Sequence, residues 1–463
     1  MDDDACTDCS RVTMGDGNRR DSEFSTAFWR RREQWSALVS APQQLELAMA
    51  LCFKLLFGPT AAIFLSAVVI LSCFTNMPYL HLSYVIDDDD LARRSTSYLA
   101  APAPPPPPKC DIFRGEWVPD PDAPHYTNET CSFIQEHQNC MFYGRPDLDF
   151  LKWRWKPHGC DLPRFDPHRF LAIVANKTIA FVGDSLARNH MQSLLCLLSK
   201  LEAGGLSAYA RILQVALPKD VSVADKTDPN KILYYEGYNF TIYIFWSPFL
   251  VRSEEVVGGD HPGVFRLYLD EPDDRWLSAS SRFDYVLLSG ANWFTRETYF
   301  YERRQLVGGM YVSLNFTSSL TNTYSHRMAF RTALRALALA RFRGKVIVRT
   351  LSPMSHFEGG PYDAGGDCRR TRPYGANETK AMEGAELGFY TSQLEEFREA
   401  RGLDVALMDA TAAMLMRPDG HPSRYGHWPD EKRTLYNDCI HWCLPGPIDA
   451  WNDMLLHMLS DSN

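Results

Sequence analysis

The sequence predicts an α/β fold in which a parallel sheet is flanked by helices and preceded by a loop-rich layer. Three observations carry this. Between residues 178 and 459, apolar runs that suit buried strands alternate with stretches of helical period. At 178–198 the period changes from strand to helix across a single tight turn. Residues 110–166 lack clear periodicity but are dense in Cys, Pro and aromatics, including Trp117, Trp153 and Trp155. They read as a layer stapled by disulfides onto the main sheet.

Residues 1–54 are polar and charge-mixed, with Arg30, Arg31, Arg32 and Lys54 before a long apolar run. Residues 55–86 contain no Asp, Glu, Lys or Arg, more than the roughly 20 residues a membrane helix needs. The run is too long and too far from the start for a cleaved signal peptide. A single transmembrane signal anchor is placed at 55–79. Asp87 to Asp90 follow it, and basic residues before with acidic residues after favour a cytosolic N-terminus. Residues 80–109 form a stem whose run from Pro104 to Pro108 is an extended spacer. The globular domain is placed at 110–463.

Strands are predicted at 178–182, 240–246, 285–289, 345–350 and 404–408, and helices at 186–200, 325–342, 381–400 and 448–459. The first strand, from Ile179 to Val182, is apolar on both faces. Gly183 turns the chain, and Leu186, Met191, Leu194, Leu195 and Leu198 then share one helix face. Ser185 therefore sits at the carboxyl end of a strand and the start of a helix, where ligands collect in open parallel sheets. Such a turn is also served by Ser as a plain N-cap.

Near the C-terminus, Asp438 and His441 are three residues apart. In one turn the carboxylate reaches one ring nitrogen and leaves the other for a hydroxyl. A turn Asp beside a surface His has the same spacing. Gly290 and Asn292 follow the strand at 285–289, which brings them to the same sheet edge as Ser185. An amide there can donate to an oxyanion, although Gly-Ala-Asn is also an ordinary turn.

The net charge of −9 argues against nucleic acid as the main partner and suits a neutral one. Asn128, Asn176, Asn239, Asn315 and Asn377 each begin a glycosylation acceptor triplet, all beyond the apolar run. Cys110, Cys131, Cys140, Cys160, Cys196, Cys368, Cys439 and Cys443 also lie beyond that run, an even set that suits disulfides. Cys439, His441 and Cys443 have the residue types of a zinc site but lack the usual paired ligands, so no metal is assigned. Trp153, Trp155, Trp246, Trp293, Trp428 and Trp442 supply aromatic faces for sugar rings or for the core.

The Gly183-Asp-Ser185 block, Gly290-x-Asn292 and Asp438-x-x-His441, in that order, resemble the SGNH (GDSL-type) hydrolase fold. Cys110-Asp-x-Phe-x-Gly-x-Trp117, Tyr143-Gly-Arg-Pro146, Trp153-Arg-Trp-Lys-Pro157, Phe181-Val-Gly-Asp-Ser-x-x-Arg-Asn189 and Asp438-Cys-x-His-Trp-Cys-Leu-Pro-Gly446 resemble the plant trichome birefringence-like family, over nearly everything from Cys110 onward. Glu136-His-Gln-Asn-Cys140 and Trp246-Ser-Pro-Phe-Leu250 look like the clade acting on xyloglucan and mannans. The resemblance implies a Golgi type II membrane protein with a lumenal domain that O-acetylates cell-wall hemicellulose, first of all xyloglucan. Mannan, glucomannan and xylan are the other acceptors. It implies Ser185, Asp438 and His441 as the triad, with oxyanion donors at Ser185, Gly290 and Asn292. An acetyl donor is required, acetyl-CoA or one derived from it, and no cofactor is bound. The family spacing also implies disulfides Cys110–Cys160, Cys131–Cys196, Cys140–Cys443 and Cys368–Cys439. A carbohydrate acetyl esterase would use the same triad with water, and a scaffolding protein would carry it unused. The G-x-S-x-G elbow of α/β-hydrolases is absent.

The charge flanks yield a direct test of topology. Protease added to sealed microsomes should remove the N-terminal tail and spare residues 110–463. Digestion of the C-terminal domain in intact vesicles would reverse the orientation.

Overall fold

A computed structural model describes residues 110–199, 219–220, 230–256, 263–375, 378, 381–433 and 436–461. The predicted tail, apolar span, stem and Asn377 lie outside the described residues. Among those described, no helix is long and apolar enough to cross a membrane.

The N-terminal layer is built on an antiparallel ribbon of β1 (Gly115–Pro119) and β2 (Trp153–Pro157). Trp117 and Trp155 face each other across it, edge to face, with centroids 5.7 Å apart. Trp117 Nε1 donates to Ala413 O at 2.8 Å, which ties the ribbon to the main fold. Helix α1 (Pro167–Ile173) then leads in, with Pro at its start and Asp166 accepting from the His168 and Arg169 backbone N–H groups.

The main sheet contains β3 (Thr178–Gly183), β4 (Lys219–Asp220), β5 (Lys231–Tyr235) and β6 (Phe240–Trp246). A second sheet begins with β7 (Val251–Glu255) and β8 (Phe265–Pro272). The chain returns to the first through β9 (Tyr285–Ser289), and adds β10 (Thr298–Glu302) and β11 (Gln305–Met310) to the second. Finally β12 (Lys345–Arg349) and β13 (Asp404–Met408) complete the first. The strand orders are β13-β12-β9-β3-β6-β5-β4 and β11-β10-β8-β7.

From β13 to β6 the main sheet is parallel, as the alternation of strands and helices predicts. The sheet as a whole is mixed, which corrects the wholly parallel expectation. Strands β5 and β6 are joined by only residues 236–239, too short for a crossover, so they pair antiparallel. The second sheet was not anticipated either. Its strands carry Arg252, Glu254 and Glu271 on a solvated face, where they form ion pairs that hide any apolar run. The predicted helices appear as α2 (Ser185–Ser199), α3 (Asn322–Leu339), α4 (Gly384–Glu399) and α5 (Asp449–Ser460), shifted by a few residues at their ends. Helix α3 starts earlier than its apolar period because Thr321 caps it, accepting from the Tyr324 N–H.

Strand β3 is buried on both faces. Ile179 and Phe181 pack with Leu194, Leu198, Trp451 and Leu455 of α2 and α5. Ala180 and Val182 pack with Phe330, Leu334 and Leu337 of α3. This two-sided layering brings the carboxyl ends of β9, β3 and β6 together: Gly183 lies opposite Ser289 on one side and Trp246 on the other.

A Cβ at Gly183 would stand 1.9 Å from the Ser289 carbonyl oxygen, inside the backbone of the neighbouring strand. Gly183→Ala should therefore destabilise the fold by about 2 kcal/mol or more, as overpacking does. Denaturant unfolding checks this, and unchanged stability would mean that β9 moves away freely.

Candidate active site

Ser185 is the first residue of α2, immediately after β3 and the Gly183-Asp184 turn. Its N–H is among those that a helix leaves without an intrahelical partner. Asp184 is buried, and its carboxylate fixes the turn from two directions. One oxygen accepts from the Leu186 N–H at 3.0 Å and the other from the Ala291 N–H at 3.2 Å. Asp184 thus ties the serine turn to the segment after β9.

Asp438 and His441 lie on a strap that pairs with Ser423 through two 2.8 Å backbone bonds. Asp438 Oδ1 accepts from the Ile440 and His441 N–H groups at 3.0 and 2.9 Å. Asp438 Oδ2 lies 2.7 Å from His441 Nδ1, and His441 Nε2 lies 2.6 Å from Ser185 Oγ. The structure therefore brings together all three residues singled out from separate segments, in a linear relay.

The strap is registered against the helix that carries the serine. Asn189, one turn after Ser185, accepts from the Trp442 N–H at 2.9 Å and donates to the Trp442 carbonyl at 3.3 Å. Trp442 Nε1 donates to Ser352 Oγ at 3.0 Å. Behind it, His421 Nδ1 lies 2.7 Å from the His441 carbonyl, and Arg145 donates to the His421 and Asp419 carbonyls. Cys439 is bonded to Cys368 and Cys443 to Cys140, on either side of His441. Cys110–Cys160 and Cys131–Cys196 complete the four pairs that the family spacing implies. With both strap sulfurs in disulfides, neither is a thiolate available to zinc.

Burial disfavours charge on His441, but the Asp438 carboxylate beside it outweighs this and raises the imidazole above its ordinary value. Burial also works against the Asp438 carboxylate, yet the His441 charge and hydrogen bonds hold it well below the usual carboxylate range. The His137 ring meets His441 edge to face at 5.0 Å. Burial and the His441 charge push its pKa down to about 4, so it stays neutral. Arg188, three residues after Ser185, lies over the Trp246 ring at 4.8 Å.

The relay opens into a cavity of about 360 Å³ lined by Glu136, His137, Ser185, Gly426, His427, Arg433, Asp438 and His441. Gly290 and Asn292 are not part of this lining. They stand beside the serine turn, after β9. The Gly290 carbonyl accepts from Gln393, and His326 Nε2 lies 3.1 Å from it. The Asn292 amide is shielded from solvent and has no hydrogen-bond partner among the described residues. Of the six tryptophans considered for sugar binding, Trp155 and Trp442 are core residues. Trp153, Trp246 and Trp293 are partly buried, and Trp428 is exposed.

Sequence reasoning missed the parts played by His137, Arg145, Asp184 and Asn189. All four stand inside segments that carry the family resemblance, but each has a partner distant in sequence.

Residues 162–458 match PC-Esterase, described as a GDSL/SGNH-like acyl-esterase family found in Pmr5 and Cas1p, and residues 108–161 match the PMR5 N-terminal domain. Protein trichome birefringence-like 20 of Arabidopsis thaliana is 48% identical over 363 residues, 76% of this chain and 72% of that protein. Protein trichome birefringence-like 19 of the same plant is 51% identical over 361 residues, 76% and 80% of the two chains. Xyloglucan O-acetyltransferase 4 of Populus trichocarpa is 44% identical over 360 residues, 76% and 81%. By the sequence of both its N-terminal layer and its α/β core, this chain belongs to the GDSL/SGNH-like PC-esterase family, among its trichome birefringence-like members.

Proposed function

We propose that this chain is a polysaccharide O-acetyltransferase that acetylates a hemicellulose, most directly xyloglucan, through an acetyl-serine intermediate. The observation that carries the reading is the hydrogen-bonded relay from Asp438 through His441 to Ser185, opening into a cavity. Relatives named Xyloglucan O-acetyltransferase, from poplar and Arabidopsis, support the substrate class.

Ser185 Oγ attacks the acetyl carbonyl of the donor while His441 Nε2 takes its proton. The Ser185 and Gly290 N–H groups and the unpartnered Asn292 amide receive the oxyanion. Collapse expels the donor's leaving group, which takes the proton from His441. A sugar hydroxyl then attacks the acetyl-serine, giving its proton to His441. Collapse of this second intermediate returns that proton to Ser185. Asp438 holds the ring orientation and stabilises the imidazolium in both halves. The donor is acetyl-CoA or a compound derived from it.

The apolar run at 55–79 and the acidic stem suit a Golgi type II protein with a lumenal catalytic domain. Asn176, Asn239 and Asn315 are exposed and Asn128 is half-buried, which suits glycosylation there. Asn239 donates its amide to Asn176 at 3.1 Å, so the two acceptor sites lie side by side.

The acyl-esterase description of the family favours a second reading, in which water replaces the sugar hydroxyl. Product analysis with and without acceptor separates the two. Free acetate formed at the same rate under both conditions, with no acetylated glycan, identifies an esterase.

Ser185→Ala and His441→Ala should each lower transfer by roughly three orders of magnitude or more, and Asp438→Asn by less. Folded Ser185→Ala that acetylates glycan at near the unmutated rate would contradict the covalent mechanism.

The relay needs a neutral imidazole, so kcat/KM should rise with pH on an acid limb above about 6.5, the ordinary imidazole value. Asp438→Asn should move that limb to lower pH. The sign for stability is opposite. The raised His441 pKa contributes stability that is full below about 6.5 and fades as pH rises through the folded value. The depressed Asp438 pKa contributes stability that is full above about 3.9 and fades as pH falls. Kinetic profiles and denaturant titrations across pH check both.

A further inference from the structure

The cavity at Ser185 has walls from two distant segments. Glu136 and His137 belong to the N-terminal layer, and Gly426 and His427 to the loop before the strap. The two walls touch closely: a Cβ at Gly426 would meet the His137 carbonyl at 2.8 Å. A few residues beyond the cavity, both segments turn outward and their aromatic rings meet. Trp428 lies 5.6 Å from Phe142 and 5.1 Å from Tyr143, and Phe142 lies 5.1 Å from Tyr143.

Phe142 and Trp428 are 52% and 46% exposed, while Tyr143 is buried beneath them. Rings clustered at a surface cost hydration without contributing to a core, and such patches mark binding sites. This cluster is also held still. The Cys140–Cys443 bond joins a residue two before Phe142 to one two after His441, so the rings and the catalytic imidazole share one covalent anchor. The backbone N–H groups of Phe142 and Tyr143 donate to Asn139. The His427 ring nitrogens lie 2.7 and 2.8 Å from the Trp428 and Tyr436 carbonyls, which pins the loop beside Trp428.

We propose that Phe142 and Trp428, backed by the buried Tyr143 ring, form the platform on which the acceptor glycan stacks, presenting one sugar hydroxyl to the cavity. This rests on the transferase reading above. A neutral sugar chain offers no charge to grip. It offers a flat C–H face to an aromatic ring and hydroxyls to polar groups. The platform supplies the rings, and Glu136 and Arg433 at the cavity supply polar partners. Continuity with the catalytic cavity through Gly426 and His427 selects the acceptor as the occupant, since a chain lying on the rings reaches the cavity directly. Rigid aromatic side chains also lose little conformational freedom when they bind.

The test uses the full-length protein carrying Ser185→Ala, which cannot turn over, and a defined neutral xyloglucan oligosaccharide in a calorimeter. Adding Trp428→Ala should weaken binding by about tenfold or more. Phe142→Ala should weaken it by a smaller factor, and Trp428→Phe should retain most of the affinity. Tyr311→Ala, at an exposed aromatic just after β11, should change nothing. With Ser185 intact, Trp428→Ala should raise the acceptor KM by about tenfold with kcat nearly preserved. Unchanged affinity in both Trp428→Ala and Phe142→Ala overturns the proposal. So does a change in self-association without a change in glycan affinity, which would make the rings a contact between copies of the chain. Binding that depends on Trp428 in a protein that transfers no acetyl group would support the platform while removing the transferase reading.

Discussion

The site depends on one long-range constraint. His441 is 256 residues from Ser185 in sequence, yet its ring nitrogen must stay within hydrogen-bonding distance of the serine oxygen. The pair of hydrogen bonds between Asn189 and the Trp442 backbone sets that distance. Asn189 rides one turn above Ser185 on the same helix, and Trp442 is the residue after His441. The serine and histidine thus share a single rigid reference. Two disulfides, Ser352 and the Arg145 guanidinium hold the rest of the strap, which leaves the backbone around His441 little freedom. Much of the entropy of bringing base to nucleophile is removed when the chain folds and its disulfides form.

The electrostatics follow from the same strap. A buried carboxylate is costly unless its lone pairs are satisfied. Asp438 meets that need with two backbone N–H groups and the His441 ring. The backbone donors are those of the turn itself, so the three-residue spacing both orients the imidazole and stabilises the carboxylate. His137 adds a neutral ring against His441 without introducing a competing charge. The same segment runs on to Cys140 and the exposed rings beyond it, so the N-terminal layer forms part of the site.

Much of this was legible in the sequence because the signals were local. An apolar run from Ile179 to Val182 needs two covered faces, and a glycine followed by Asp and Ser marks the end of that strand. Asp438 and His441 announce themselves by spacing. The second sheet was not legible, because residues such as Arg252, Glu254 and Glu271 pair across its solvated face and break the apolar pattern. The antiparallel edge was missed because 231–235 was not taken as a strand, although Gly237 and Asn239 mark a turn before the predicted strand at 240–246. Asn189, Arg145 and Asp184 each also act on a backbone group of a segment brought close only by folding, and that partner is not visible in sequence. The proposed oxyanion donors stand between these cases. Gly290 and Asn292 lie beside the serine turn as their strand placement implies, but outside the cavity lining.

The central claim is that Ser185 carries the acetyl group between donor and glycan. Mass spectrometry of the Ser185 peptide after brief incubation with acetyl donor alone tests it most directly. A single acetyl group on Ser185, lost on adding acceptor glycan and absent in His441→Ala, is the predicted result. Rapid glycan acetylation with Ser185 unmodified at every time point, in rapid-quench samples spanning the first turnover, would contradict it.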